Sequence, residues 1–308
     1  MKILDNRPIL TFCIVCFIWG TTWLATKVAL TTIPPLLMAG SRFVVAGGLM
    51  TAVSWRGQAR NDEGVRFARA DIGRLLLSTL FMIVLCYGPL FWGMQFVESG
   101  VAAVIEMSLT PVALLVCAVV LGEEPLTWRK VAALLLGLVG VVVMFLPDLS
   151  RAAASGGGMR LVGGLVVALS AFTYGLGSVL ARPLLRTYSP TLLSGLTTLI
   201  GGSVLLAMSL AFEPGARPAL NLNWGLGPWL GWLYLTVAGS LIAFALYMRL
   251  LRDLGASRSG NFAFVSPAIA VLAGAVVLGE TIAPLSWVGM AVMLTAAFIS
   301  LHGVGKAE

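Results

Sequence analysis

Charge is scarce in this chain. Only 11% of its 308 residues are Asp, Glu, Lys or Arg, against about 25% in a water-soluble domain, too few to cover a soluble surface. Histidine is nearly missing: His302 is the single one. That excludes a His-rich metal site, an H-E-x-x-H helix and a nucleophile–histidine–carboxylate set. There is no Walker A loop, so the chain does not itself hydrolyse ATP, and no aspartate falls within the long apolar runs, as an intramembrane aspartyl enzyme would require. Neither catalysis nor a cofactor is expected. Cysteine is limited to Cys13, Cys16, Cys86 and Cys117, all within apolar stretches. The C-x-x-C at Cys13 and Cys16 lacks the second pair or histidines a metal site needs, so all four read as small buried hydrophobes. Dense basic runs interleaved with aromatics are also missing, so the net charge of +7 does not point to nucleic acid.

What is present is apolar length. Hydrophobic residues make up 59% of the chain, the mean hydropathy is +0.97, and the 35 glycines suit closely packed transmembrane helices. A soluble enzyme, a secreted disulfide scaffold and a disordered chain are all excluded. A bilayer core about 30 Å thick takes roughly 20 apolar residues per helix. Splitting the chain at charges, prolines and glycine-rich turns gives ten such segments, at 9–30, 34–54, 75–96, 99–121, 128–146, 161–182, 190–212, 228–251, 256–278 and 284–302. The first is too long for a signal-peptide core and no small-x-small cleavage site follows it. The expected fold class is an all-α polytopic membrane protein of ten transmembrane helices. With the N-terminus inside, most Lys and Arg fall on the inner side, and only Lys27, Arg151, Arg160 and Arg217 fall outside. Both termini are therefore expected in the cytoplasm.

The two halves echo each other. A shift of 155 places Phe17 on Phe172, Gly20 on Gly175, Pro35 on Pro190, Gly40 on Gly195, Gly47 on Gly202, and Lys27 on the cationic Arg182. A shift of 157 aligns residues 118–123 with the identical 275–280. Five helices per copy is an odd number, so the second copy must enter the membrane from the opposite side. The expected domains are a first repeat at 1–150 and a second, inverted repeat at 151–308. Two inverted repeats can open to either side in turn, which is alternating access.

These residues carry a family resemblance. Phe17-Ile18-Trp19-Gly20, then Pro34-Pro35 and Ser41-Arg42-Phe43, resemble the opening of the drug/metabolite transporter superfamily, and of its EamA-type exporters in particular. Thr110-Pro111 with Leu121-Gly122-Glu123, echoed by Ser266-Pro267 with Leu278-Gly279-Glu280, resembles the helix that closes each EamA repeat. The resemblance implies two inverted five-helix repeats around a central cavity, exporting small metabolites such as amino acids from a bacterial inner membrane.

A charge at the centre of a membrane helix costs about 2.5–3.5 kcal/mol on insertion scales, so Arg42 and Glu106 ask for a reason. They lie at similar depth in the second and fourth segments. A structural ion pair and a substrate site both fit, and Glu106 could also exchange protons, making protons a candidate partner. Trp19, Trp23, Tyr87, Trp92 and Tyr174 are candidate aromatic walls, and the amides of Gln95 and Asn261 are candidate polar contacts. Packing or an interfacial belt explains each aromatic equally well. Lys27 reads as a snorkelling side chain, Arg182 as an inner anchor, and Glu123 and Glu280 as loop-closing or helix-capping groups. Trp229 and Trp232 fit an interfacial belt. Pro111 and Pro267 occupy matching places and are candidate hinges.

The expected function is a secondary transporter exporting small metabolites, amino acids first among them and aromatic or hydrophobic ones included. Its partners would be a small-molecule substrate and the lipid bilayer, with no nucleic acid. Monomer and weak homodimer both stay open. An importer, a carrier of sugar-phosphate or nucleotide-sugar compounds, and a channel or structural bundle are the rivals.

Overall fold

A computed structural model describes residues 7–59, 67–97, 99–153, 158–278 and 283–302. The described residues are all helix and turn. The long helices are α1 (Arg7–Ala29), α2 (Pro35–Ala59), α3 (Arg69–Gly93), α4 (Ser99–Val120), α5 (Trp128–Ala153), α6 (Gly158–Leu185), α7 (Pro190–Phe212), α8 (Leu226–Leu254), α9 (Phe262–Leu278) and α10 (Pro284–His302). Short helical turns, Ala216–Ala219 and Ala256–Ser259, precede α8 and α9. Among the described residues, eight helices are long and apolar enough to cross a membrane, and Ile105–Val120 in α4 is a shorter apolar stretch. The expected segments fall on these helices, with α3 starting earlier than expected. Its first turn carries Arg69 and Asp71, and Arg74 follows, because a helix can continue past the apolar layer once water can solvate its charges.

Local chemistry sets several ends. Ser189 accepts a hydrogen bond from the Leu192 N–H at 3.2 Å, and Pro190 occupies the first turn of α7, a favoured pairing for starting a helix. At the far end of α7, Glu213 accepts from the N–H groups of Leu36 and Leu37 at 2.8 and 2.9 Å. A carboxylate there satisfies orphan donors at the start of α2 and complements its dipole.

Two helices carry a wide turn of the π type, α3 at Leu80–Val84 and α8 at Leu235–Ile242. The shift of 155 that aligns the two halves carries Leu80 onto Leu235. The helix contacts follow the same exchange. α1 lies on α9 and α6 on α4; α1 lies on α8 and α6 on α3; α2 lies on α7, and α5 on α10.

The crossings use the glycines that the repeat alignment pairs. A Cβ on Gly40 would fall 2.5 Å from the Leu206 nitrogen, and one on Gly202 would fall 2.6 Å from the Phe43 Cβ. Both lie in the α2–α7 crossing. Gly20 meets Ile269 across α1 and α9, and its counterpart Gly175 meets Ala113 across α6 and α4. Between lipid-bathed helices van der Waals contact is a main attraction, so small residues that let backbones touch are what hold the bundle together.

The bundle has two ends. At one, α1 stops and α2 starts: Thr32 donates to the Trp224 carbonyl at 2.9 Å, and Glu213 holds α2. At the other, α4 stops and α5 starts: Glu124 contacts Arg182 and Ala256, and Tyr188 donates to Asp71 at 2.9 Å.

Candidate functional site

A central cavity, partly open, lies between the two sets of helices. It reaches the α1–α2 end at Trp23, Thr26 and Met94, and stops at a floor that includes Phe244, Phe262 and Ser266. Both halves of the chain line it.

The structure brings together six of the candidate residues: Trp19, Trp23, Arg42, Tyr87, Glu106 and Tyr174 all line this cavity. Trp19 and Trp23 share one face of α1, four residues apart. The Trp19 indole N–H donates to the Gly239 carbonyl at 3.3 Å, within the wide turn of α8. Its ring meets Phe262 at 4.5 Å and Tyr247 at 5.1 Å, so the floor is a layer of aromatic rings.

Arg42 is 7% exposed. Its guanidinium carbon lies 4.6 Å from the Phe43 ring centre and 5.7 Å from that of Tyr87. Its Nε has no hydrogen-bond partner. Glu106 faces the same cavity. Among the described residues Arg42 and Glu106 form no ion pair with each other or with any third group. Two side chains of opposite charge type thus line one cavity, neither with a charged protein partner there.

Other candidates lie elsewhere. Trp92 is 42% exposed and meets the Phe96 ring at a tilt, 4.8 Å between ring centres, pointing out of the bundle. Gln95 is exposed in the turn after α3 and is not part of the lining. The Asn261 amide is buried but spent: it donates to the Arg258 carbonyl at 3.0 Å and to Ser300 Oγ at 2.6 Å, tying α9 to α10. Pro111 and Pro267 sit buried inside α4 and α9, each directly after a lining hydroxyl, Thr110 or Ser266. Cys13 is exposed on α1, against expectation, while Cys86 lines the cavity. Glu123 does close its loop, by pairing with Arg186 at 2.8 Å. Arg182 is more than an anchor, since it pairs with Glu123 and Glu124. Lys27 is exposed near the end of α1. Trp229 and Trp232 pack on Trp224, and Trp232 donates to Ser41 at 3.0 Å. Glu280 lies outside the described residues.

Sequence reasoning missed Thr22, Thr26, Thr110, Ser266 and Gly239. The first two had a signal, for Trp19, Thr22, Trp23 and Thr26 follow the spacing of one helical stripe. Gly239 had none, because its place in the lining depends on the wide turn. Trp92→Ala is expected to leave transport at wild-type level, while Trp19→Ala should lower it at least about ten-fold by removing a wall and the bond to Gly239; initial uptake rates in reconstituted vesicles check both.

The model of the EamA-like transporter family matches residues 6–146 and again residues 161–301. The chain belongs to the EamA-like transporter family. The family is one of transporters, not enzymes, and this EamA-like chain is a multi-pass inner-membrane protein. The duplicated match fits a fold built from two copies of one unit. The chain is 28% identical over 294 residues to the uncharacterized inner membrane transporter YedA of Escherichia coli K12, covering 93% of this chain and 88% of that one. It is 28% identical over 297 residues to the uncharacterized transporter sll0355 of Synechocystis, covering 92% and 86%. A solved crystal structure described only as that of a protein shares the fold, with a TM-score of 0.74 over 97% of this chain and 99% of that one at 18% identity.

Proposed function

We propose that this EamA-like transporter exports small metabolites, amino acids first among them and aromatic or hydrophobic ones favoured, from the cytoplasm by alternating access. The observation that carries this reading is Arg42, buried at the cavity wall with an unpaired Nε and no protein carboxylate to meet it. An arginine fork suits a substrate carboxylate, and charge-assisted hydrogen bonds to it are strong in a dry site. Glu106 and the ring faces of Trp19 and Tyr87 suit the ammonium and an apolar side chain. A dianionic sugar phosphate would find one cation and one repelling carboxylate, which disfavours that alternative. Glu106 is also the group through which a proton gradient could be coupled.

In this reading the chain crosses the membrane ten times as two inverted five-helix repeats, 1–150 and 151–308, with both termini cytoplasmic. The exchange of helix contacts between the halves supports the inversion. Rocking one repeat on the other, with Pro111 and Pro267 as hinges, would expose the cavity to either side. A cavity closed by a ring layer suits a carrier better than a channel.

Counterflow in proteoliposomes tests this. Vesicles preloaded with an unlabelled aromatic amino acid should take up the labelled form transiently and saturably. N-acetylation or loss of the carboxylate should remove the effect. Non-saturating flux without counterflow, or counterflow for sugar phosphates alone, would refute the reading.

A further inference from the structure

The cavity is shut at the α4–α5 end, where its floor is separated from the surface by packed helix. From Phe244 to Leu254 the rise is about 15 Å, and Tyr247, Leu250, Leu251 and Ala256 along this path are essentially inaccessible. Above them, at the surface, one carboxylate holds four elements together. Glu124 Oε1 accepts from the Ala256 N–H at 2.5 Å and lies 3.4 Å from Arg182 Nη1. Its Oε2 accepts from Lys130 Nζ at 2.8 Å and from the Ser257 hydroxyl. These contacts join the α4–α5 turn to the end of α6 and to the turn between α8 and α9, and so join the first half of the chain to the second.

The fit is built in. Gly255 has φ +86°, and a Cβ there would lie 2.5 Å from Glu124 Oε1 and 3.4 Å from Arg182 Nη2. Only glycine lets this backbone reach the carboxylate. Neighbouring contacts brace the same joint: Glu123 pairs with Arg186, and Tyr188 stacks on Phe67 at 4.0 Å.

Resting on the alternating-access reading, we propose that Glu124 is the latch of the gate at the α4–α5 end, and that its contacts to Arg182 and residues 256–257 must break for the cavity to open there. Water cannot reach the floor from this side while the two halves are tied at Glu124, and no other carboxylate in the described joint contacts both Arg182 and the 256–257 backbone. The latch is charged under working conditions. Burial pushes the Glu124 carboxyl up, but bonds from Lys130 and Ser257 and the charges of Lys130 and Arg182 outweigh it and hold it below the usual range. The ion pairs are therefore complete above about pH 4.3 and are lost only as pH falls through the lowered value. Glu123 and Arg186 are further charges at this joint, and Asp71, held by the Tyr188 hydroxyl, lies at the same end.

Thr22 lines the cavity and is only partly buried, so a thiol at this position reports which side wets it. In a full-length chain carrying Thr22→Cys, with Cys13, Cys16, Cys86 and Cys117 changed to alanine, in sealed vesicles of either orientation, a charged methanethiosulfonate should modify position 22 from the α1–α2 side. Glu124→Gln keeps the shape and loses the charge. It should raise modification from the α4–α5 side about ten-fold or more, as expected for lost charge-assisted bonds, and lower it from the other side. Gly255→Ala, which crowds Oε1 without touching any charge, should shift the balance the same way. Unchanged rates from both sides in both variants overturn the latch. A rise from both sides alike marks general loosening and overturns it too. No reaction from either side in the parent chain would remove the water-filled cavity, and the transport reading falls with the latch.

Discussion

Replacing Arg42 with glutamine should abolish counterflow of a carboxylate-bearing substrate while leaving the protein as stable as before or more so. The two halves of this expectation come from one fact: the guanidinium is buried, with an unpaired Nε and no ion-pair partner. Its desolvation is not repaid within the empty protein, so a neutral side chain of similar length removes a cost rather than a bond. In the loaded protein the same guanidinium meets the substrate carboxylate. Truncating one partner of a buried, hydrogen-bonded charge pair costs about 2–5 kcal/mol, or about 30-fold to several thousand-fold in rate. Counterflow rates and thermal melting of the purified protein check the two parts separately. Wild-type transport by Arg42→Gln would dismiss the site; a large drop in melting temperature with it would mean that Arg42 is structural.

The second large effect is expected where helices touch. Gly47 faces the Leu199 backbone nitrogen, and an added Cβ would fall 2.7 Å from Thr198 Oγ1 and 2.8 Å from the Gly195 carbonyl oxygen. Gly47→Ala should cost about 1–3 kcal/mol, the usual range for overpacking, because the obstacle is backbone and cannot turn aside. The next residue provides the control. Gly48 has nothing within 4 Å of its missing Cβ, so Gly48→Ala should be neutral or stabilise by up to about 1 kcal/mol through helix propensity. Thermal melting of the two variants side by side checks this, and equal losses would show that backbone contact is not what α2 and α7 share.

The helices were legible because apolar length is a demand of the bilayer and leaves a long trace in the chain. The internal echo was legible for a related reason: the glycines that align under the shift of 155, Gly20 with Gly175 and Gly40 with Gly195, are those at close crossings. Arg42 and Glu106 stood out as charges within apolar runs, and the structure places both on the cavity. What could not be read was which way a side chain faces beyond a wide turn. Trp92 and Gln95 follow Leu80–Val84 in α3, and ordinary helical phase past that point is unreliable. Asn261 was misplaced because its partner Ser300 is 39 residues away. Glu124 was passed over beside Glu123, since nothing local shows that the 256–257 backbone arrives to meet it.

The matched wide turns at Leu80–Val84 and Leu235–Ile242 have a consequence for the history of the chain. Such a turn holds one residue more than an α-turn. Finding that spare residue at corresponding heights in both copies is simplest if the ancestral gene already carried it before it doubled. Each half thus inherits a single unit of slack, and these are the places where α3 and α8 could shed a residue and stay in register.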